Sequence, residues 1–237
     1  MHSAYNALST MITVSKEDYL KAIFEAESEG DNVIAATLAT WLSVTPPAVT
    51  MALRRLKRDG LVEVRADGHV QLTTEGRKIA QRTAIRHYLI ERMLNEVFGM
   101  PWYHTHDEAE RLEHAVSAEF ESLLVKKLGR SGPCPHGNLA TIESPARRRR
   151  RGLKLLSEAQ PAQSYLVSSV YERDSRLCEL LDRRGVRPGS TVVLHEKNYD
   201  GTFTLKTSAG DVTLGGPAAE RIWVSSPAAQ ASNNKRS

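Results

Sequence analysis

The chain has 237 residues, room for one large core or two to three small ones. Its net charge of +4 and pI of about 9.1 fit a polyanionic partner better than an acidic one. Two cysteines far apart, Cys134 and Cys178, exclude a disulfide framework and argue against a thiolate zinc site. No apolar run reaches the roughly 18 residues of a membrane span, and Met1 to Thr13 has no signal pattern, so a soluble cytoplasmic protein is expected.

In chain order, Ser15 is the expected N-cap of a first helix that buries Leu20, Ile23 and Phe24. A second helix carries Leu38, Ala39, Trp41 and Leu42 and breaks at Ser43-Val44-Thr45. Thr45 then precedes a third helix that opens on Pro46 and Pro47, with Val49, Leu53 and Leu56 as its inward stripe and Gly60 beyond its end. Leu61 to Arg65 and Val70 to Leu72 alternate about an Asp67-Gly68 turn, the pattern of a hairpin. Helix, helix, turn, helix and hairpin make a winged helix-turn-helix, assigned to residues 1–73.

The third helix has the make-up of a DNA-reading element. Thr45, Pro47, Ala48, Thr50 and Met51 place small and apolar groups in its leading turns, where they can meet base edges and thymine methyls. Arg54, Arg55, Lys57 and Arg58 follow and suit phosphates, which fix register without reading sequence. A solvated basic helix in a protein-binding module is the blander alternative.

Residues 74–130 read as two long helical stretches. His87 and Glu91 are four apart on the first. On the second, His106, Glu110, Glu113 and His114 share one stripe, with Leu112, Val116, Phe120 and Leu124 marking buried faces of the same helix. Imidazoles and carboxylates on a partly buried stripe are costly unless paired, and a divalent first-row cation would satisfy them together. Surface ion pairs are the alternative. Asp18 by itself reads as a capping residue, since Ser15-x-x-Asp18 is a capping-box pattern.

Several segments resemble the diphtheria-toxin-repressor family of metal-dependent repressors: Tyr19 to Ile23, Leu53 to Val62, Arg86 to Arg92, His106 to His114, and Cys134-Pro135-His136-Gly137. The resemblance spans roughly residues 14–224. It implies a mainly α chain with a small β part: a winged helix, a helical metal-binding and dimerisation domain, and an SH3-like β-barrel. It further implies a primary metal site at Asp18, Glu110, Glu113 and His114, and an ancillary site at His87, Glu91 and His106 joined by an acid matched to Glu172. Asp18 and Glu110 stand where the iron-responsive branch has Met and Cys. The resemblance is therefore to the manganese-responsive branch, with Mn(II) as cofactor and Fe(II) as the alternative. Lys21 stands where one form of that branch has a second bridging carboxylate, so two separated sites per subunit are implied. The expected function is repression by a homodimer on double-stranded operator DNA, controlling metal-homeostasis genes, with no organic cofactor and no membrane partner.

Residues 131–162, rich in proline and holding the Arg147 to Arg151 run, read as a solvated linker. From 163 to 226 short alternating strands around a helix at Ser175 to Arg184 suggest a small barrel without a catalytic constellation, and 227–237 read as a disordered tail. Two competing classes are a metallohydrolase, which needs an open coordination position beside a general base, and a winged-helix repressor sensing a small organic ligand.

Overall fold

A computed structural model of the protein describes residues 16–130, 132–139 and 143–226. Ser15, and with it the proposed capping box, lies outside the described residues, as does the 227–237 tail. None of the described helices is long and apolar enough to cross a membrane.

The chain divides into two compact units between Thr83 and Ala84. In the first, α1 (Lys16–Glu29), α2 (Ala35–Trp41) and α3 (Pro46–Arg58) precede a hairpin of β1 (Val62–Val64) and β2 (Val70–Leu72). This is a winged helix-turn-helix. Leu20, Ile23, Leu38, Val49, Leu56, Val62 and Val70 are all at most 2% exposed and form its core. Thr45 is the N-cap residue of α3 by position, but its side chain makes no capping bond, so the proline pair starts the helix. Antiparallel register joins Val62 to Leu72 and Val64 to Val70, and Gly68, at φ +83°, makes the wing turn.

The division falls within α4 (Thr74–Arg92), which runs on into a π-helical turn over Met93–Val97. In the second unit, α5 (Thr105–Leu112) and α6 (Ala118–Leu128) are separate helices. This corrects the single helix expected to carry both the His106 to His114 stripe and the apolar residues through Leu124. Leu112 ends α5, Glu113 and His114 sit in the following turn, and the Ser117 side chain accepts from the Phe120 amide to start α6 afresh. Leu89, Ile90, Leu94, Ala109 and Leu124 pack as the core of this helical part.

Within 131–162 the chain carries regular structure. Pro145–Arg150 form α7, and β3 (Leu153–Leu155) pairs with the last strand. Arg147, Arg149, Arg150 and Arg151 are exposed, as a solvated run would be, but the run lies largely on a helix and one of its members is buried. Arg148 is 7% exposed, and its guanidinium and that of Arg149 lie 5.1 and 5.5 Å from the Trp223 ring centroid. Arg149 also pairs with Glu158 at 2.6 Å, and Arg151 pairs with Glu143.

Next come β4 (Gln163–Val170), α8 (Ser175–Arg183), β5 (Thr191–Lys197), β6 (Phe203–Thr207), β7 (Gly210–Leu214), α9 (Gly216–Ala219) and β8 (Ile222–Ser225). The strands form one antiparallel sheet in the order β3-β8-β4-β5-β6-β7. Among the described residues no ladder joins β3 to β7, so the SH3-like sheet is open rather than a closed barrel. Its core draws in Trp102, whose indole donates to Asp182 Oδ1 at 2.7 Å.

Candidate metal centre

The second unit buries an unusual number of polar groups around one carboxylate. His87 and Glu91, one turn apart on α4, are both 0% exposed, and His106, on the first turn of α5, is 4% exposed. Cys134 and His136 arrive on a tight loop, and Glu172 follows directly from β4. Three imidazoles surround Glu91 Oε1: His136 Nδ1 at 3.2 Å, His87 Nε2 at 3.4 Å and His106 Nδ1 at 3.6 Å. Yet neither Glu91 oxygen, nor His136 Nε2, has a hydrogen bond of good geometry. Buried polar atoms left so are expensive, and a cation among them would remove the cost.

Two donor sets share Glu91. Atoms of Glu91, Cys134, His136 and Glu172 lie within 4.8 Å of one another, and so do those of His87, Glu91 and His106. Glu172 is further held by Asn138 Nδ2 at 2.6 Å, by the Cys134 thiol at 3.5 Å and by Tyr88 Oη at 3.4 Å.

Local backbone explains the loop. The Gly137 amide donates to the Cys134 carbonyl at 2.8 Å, and the Cys134 amide to the Asn138 carbonyl at 2.9 Å. The Val170 amide donates to the His136 carbonyl at 2.9 Å, which anchors the loop on β4. Gly137 is required there: its φ is +84°, and a Cβ would fall 2.0 Å from the Ser168 carbonyl oxygen.

Burial pushes the Glu91 carboxyl up, but the His136 charge and the imidazoles of His106, His136 and His87 that face it outweigh burial and hold Glu91 well below the usual range. Burial lowers His136, yet Glu91 and Glu172 bring it out raised. For Cys134, burial and then the same two carboxylates act together and push the thiol well up.

Of the other expected ligands, Glu113 is fully buried and His114 is exposed, with Glu113 Oε1 3.4 Å from His114 Nε2. Glu110 lies 3.6 Å from both His106 Nε2 and Arg173 Nη1. Asp18 belongs to the first unit, half-buried in the first turn of α1. Cys134, His136 and Asn138 are the residues that sequence reasoning missed as members of the centre. The Cys-x-His pair beside a glycine was the available signal, since it puts two donors on one short loop.

Thr45, just before α3, and Pro47, Ala48, Thr50, Met51 and Arg54 on it are all exposed, while Val49, Leu53 and Leu56 are buried. The Thr50 hydroxyl donates to the Pro46 carbonyl at 3.0 Å.

Three domain families match the chain in succession. Residues 11–70 match the iron dependent repressor N-terminal DNA binding domain, 73–140 the iron dependent repressor metal binding and dimerisation domain, and 154–226 the FeoA domain. The diphtheria toxin repressor of Corynebacterium diphtheriae is 33% identical over 210 residues, covering 84% of this chain and 91% of that protein. The chain belongs to the diphtheria-toxin-repressor family. The iron-dependent repressor IdeR of Mycobacterium tuberculosis is 40% identical over 122 residues, 52% of this chain, so the match spans about half of that relative, 53% of its length. A solved manganese-dependent transcriptional repressor in complex with manganese aligns at TM-score 0.79 and 30% identity, over 90% of this chain and 100% of that one.

Proposed function

We propose that this family member is a metal-dependent transcriptional repressor, a homodimer that binds operator DNA when Mn(II) occupies its sites. The observation that carries the reading is the buried Glu91 carboxylate, ringed by three imidazoles and a thiol and left without a well-formed hydrogen bond. The names and titles of the relatives support the same direction: iron-dependent repressor for one and manganese-dependent repressor for another.

Two sites per subunit are proposed. Glu91, Cys134, His136 and Glu172, with His87 and His106 alongside, hold one cation. Asp18, Glu110, Glu113 and His114 hold the other, and their carboxylate-rich set suits a hard ion such as Mn(II). A bound cation neutralises the carboxylates of each set and holds their side chains in one arrangement. Exposed α3 side chains read the DNA, with Arg54 on a phosphate and the Thr45 to Met51 turns at base edges. Iron(II) remains the second reading, because the named relatives include iron-dependent repressors.

The test is operator binding by the full chain with Mn(II) and with excess chelator. Affinity at least about tenfold higher with Mn(II) is expected, equivalent to about 1.4 kcal/mol of coupling between metal and DNA. Equal affinity under both conditions refutes the reading.

A further inference from the structure

We propose that His87 is the positioning residue that couples the two metal sites, its Nε2 serving the Glu91 cluster while its Nδ1 holds the Glu113 carboxylate beside His114. The proposal rests on the reading of Glu113 and His114 as metal-binding residues. It adds a direction of communication that neither donor set contains alone.

The ring has two working edges, and both are buried. Nδ1 lies 2.7 Å from Glu113 Oε2, with His87 and Glu113 each 0% exposed. Nε2 lies 3.1 Å from His106 Nδ1 and 3.4 Å from Glu91 Oε1, inside the cluster. To take a cation Glu113 must be ionised, and an ionised carboxylate can only accept, so in that state the short contact requires a proton on Nδ1. In the neutral ring Nε2 then carries a lone pair, which is the form that donates to a cation or accepts from His106. Glu113 thus selects the tautomer that makes His87 useful to the cluster.

The same bond acts in the other direction. α5 ends at Leu112, so Glu113 lies beyond the last helical residue of that element. Two consecutive α4 residues hold it: Arg86 Nη1 donates to its carbonyl at 3.3 Å, and His87 holds its carboxylate. With Oε2 engaged, Oε1 is left 3.4 Å from His114 Nε2, on the side where a cation would use both residues. Electron withdrawal at Nε2 makes an imidazole N–H a stronger donor, and such carboxylate partners change metal affinity by about 10- to 100-fold. Filling the cluster therefore tightens the Glu113 orientation, and by reciprocity filling the Glu113 site tightens the cluster by the same factor.

Cadmium-113 NMR of the full chain reads the two sites separately, because sulfur coordination by Cys134 shifts that resonance away from one with only oxygen and nitrogen donors. Removing the cluster by Cys134→Ser with His136→Gln is expected to weaken Cd(II) at the Glu113 site about tenfold or more. In a His87→Gln background the Glu113 site is already weak, and removing the cluster changes it no further. Equal weakening with and without His87, or none in the wild type, overturns the coupling while leaving two metal sites. Absence of a second, sulfur-free resonance overturns both the coupling and the reading beneath it. Nitrogen-15 shifts of the metal-free wild-type chain give a check independent of any variant's folding: His87 is expected to be protonated on Nδ1, and a proton on Nε2 instead refutes the proposal.

Discussion

Cys134 and His136 must each give up a proton before either can donate to a cation. Burial and then the Glu91 and Glu172 charges push the Cys134 thiol well up, so it is protonated at neutral pH. For His136, burial lowers the imidazole but the same two carboxylates leave it raised, so it holds its proton further into the neutral range than an ordinary histidine. Glu91 is held low and stays ionised. Cation binding here must displace protons from two raised groups, so affinity rises with pH, by up to ~10-fold per pH unit for each proton released. Calorimetry in buffers of different ionisation enthalpy counts those protons between about pH 6 and 8, the range around an ordinary histidine. Cys134→Ser is expected to release about one fewer. Affinity that stays flat with pH contradicts the assignment of Cys134 and His136 as donors.

At the scale of elements, α3 separates two jobs that substitutions can tell apart. Arg54 is exposed past the second turn and suits a phosphate, whereas Met51, 54% exposed, lies nearer the leading turn. Arg54→Ala should weaken binding about evenly across DNA sequences and reduce the salt slope by about 1. Met51→Ala should alter preference among operators with little change in that slope. The reverse pattern, read by binding to a panel of sites at several salt concentrations, refutes the division. This helix was legible because Val49, Leu53 and Leu56 repeat at helical spacing and are 0%, 6% and 1% exposed. The α5–α6 break was not read, although Ser117 is an N-cap residue type, because apolar residues at similar spacing on both sides masked it. His87, Glu91 and His106 were legible from i,i+4 spacing and a specific motif. Cys134 and His136 were not, since loop residues carry no periodicity and reach Glu91 only through the fold. Within the arginine run like charges in sequence suggest solvent, and four of the five are exposed; Arg148 is not, because Trp223, which offers it a ring, lies 75 residues further along the chain.

For the whole molecule, the two proposed donor sets differ in chemical hardness, and that difference sets which ions the chain answers to. The buried cluster includes a thiol, Cys134, whereas Asp18, Glu110, Glu113 and His114 offer only carboxylates and an imidazole. Thiolate favours softer ions such as Fe(II), Co(II) and Zn(II), and a carboxylate-rich set gives that preference up. If the response of the whole chain is set at the carboxylate-rich site, Asp18→Met with Glu110→Cys should turn it towards Fe(II) or Co(II) relative to Mn(II), with Glu113 and His114 intact. Each single substitution should give a partial shift, and the two need not add, because both side chains are proposed to meet the same ion. The measurement is the free metal concentration giving half-maximal operator binding for each ion, made without oxygen for iron. A wild type that already answers better to Fe(II) than to Mn(II), or a double variant with unchanged preference, places the selection elsewhere. Cys134→Ser then decides where: if that change alone moves the response towards Mn(II), the buried thiol sets metal choice for the whole chain.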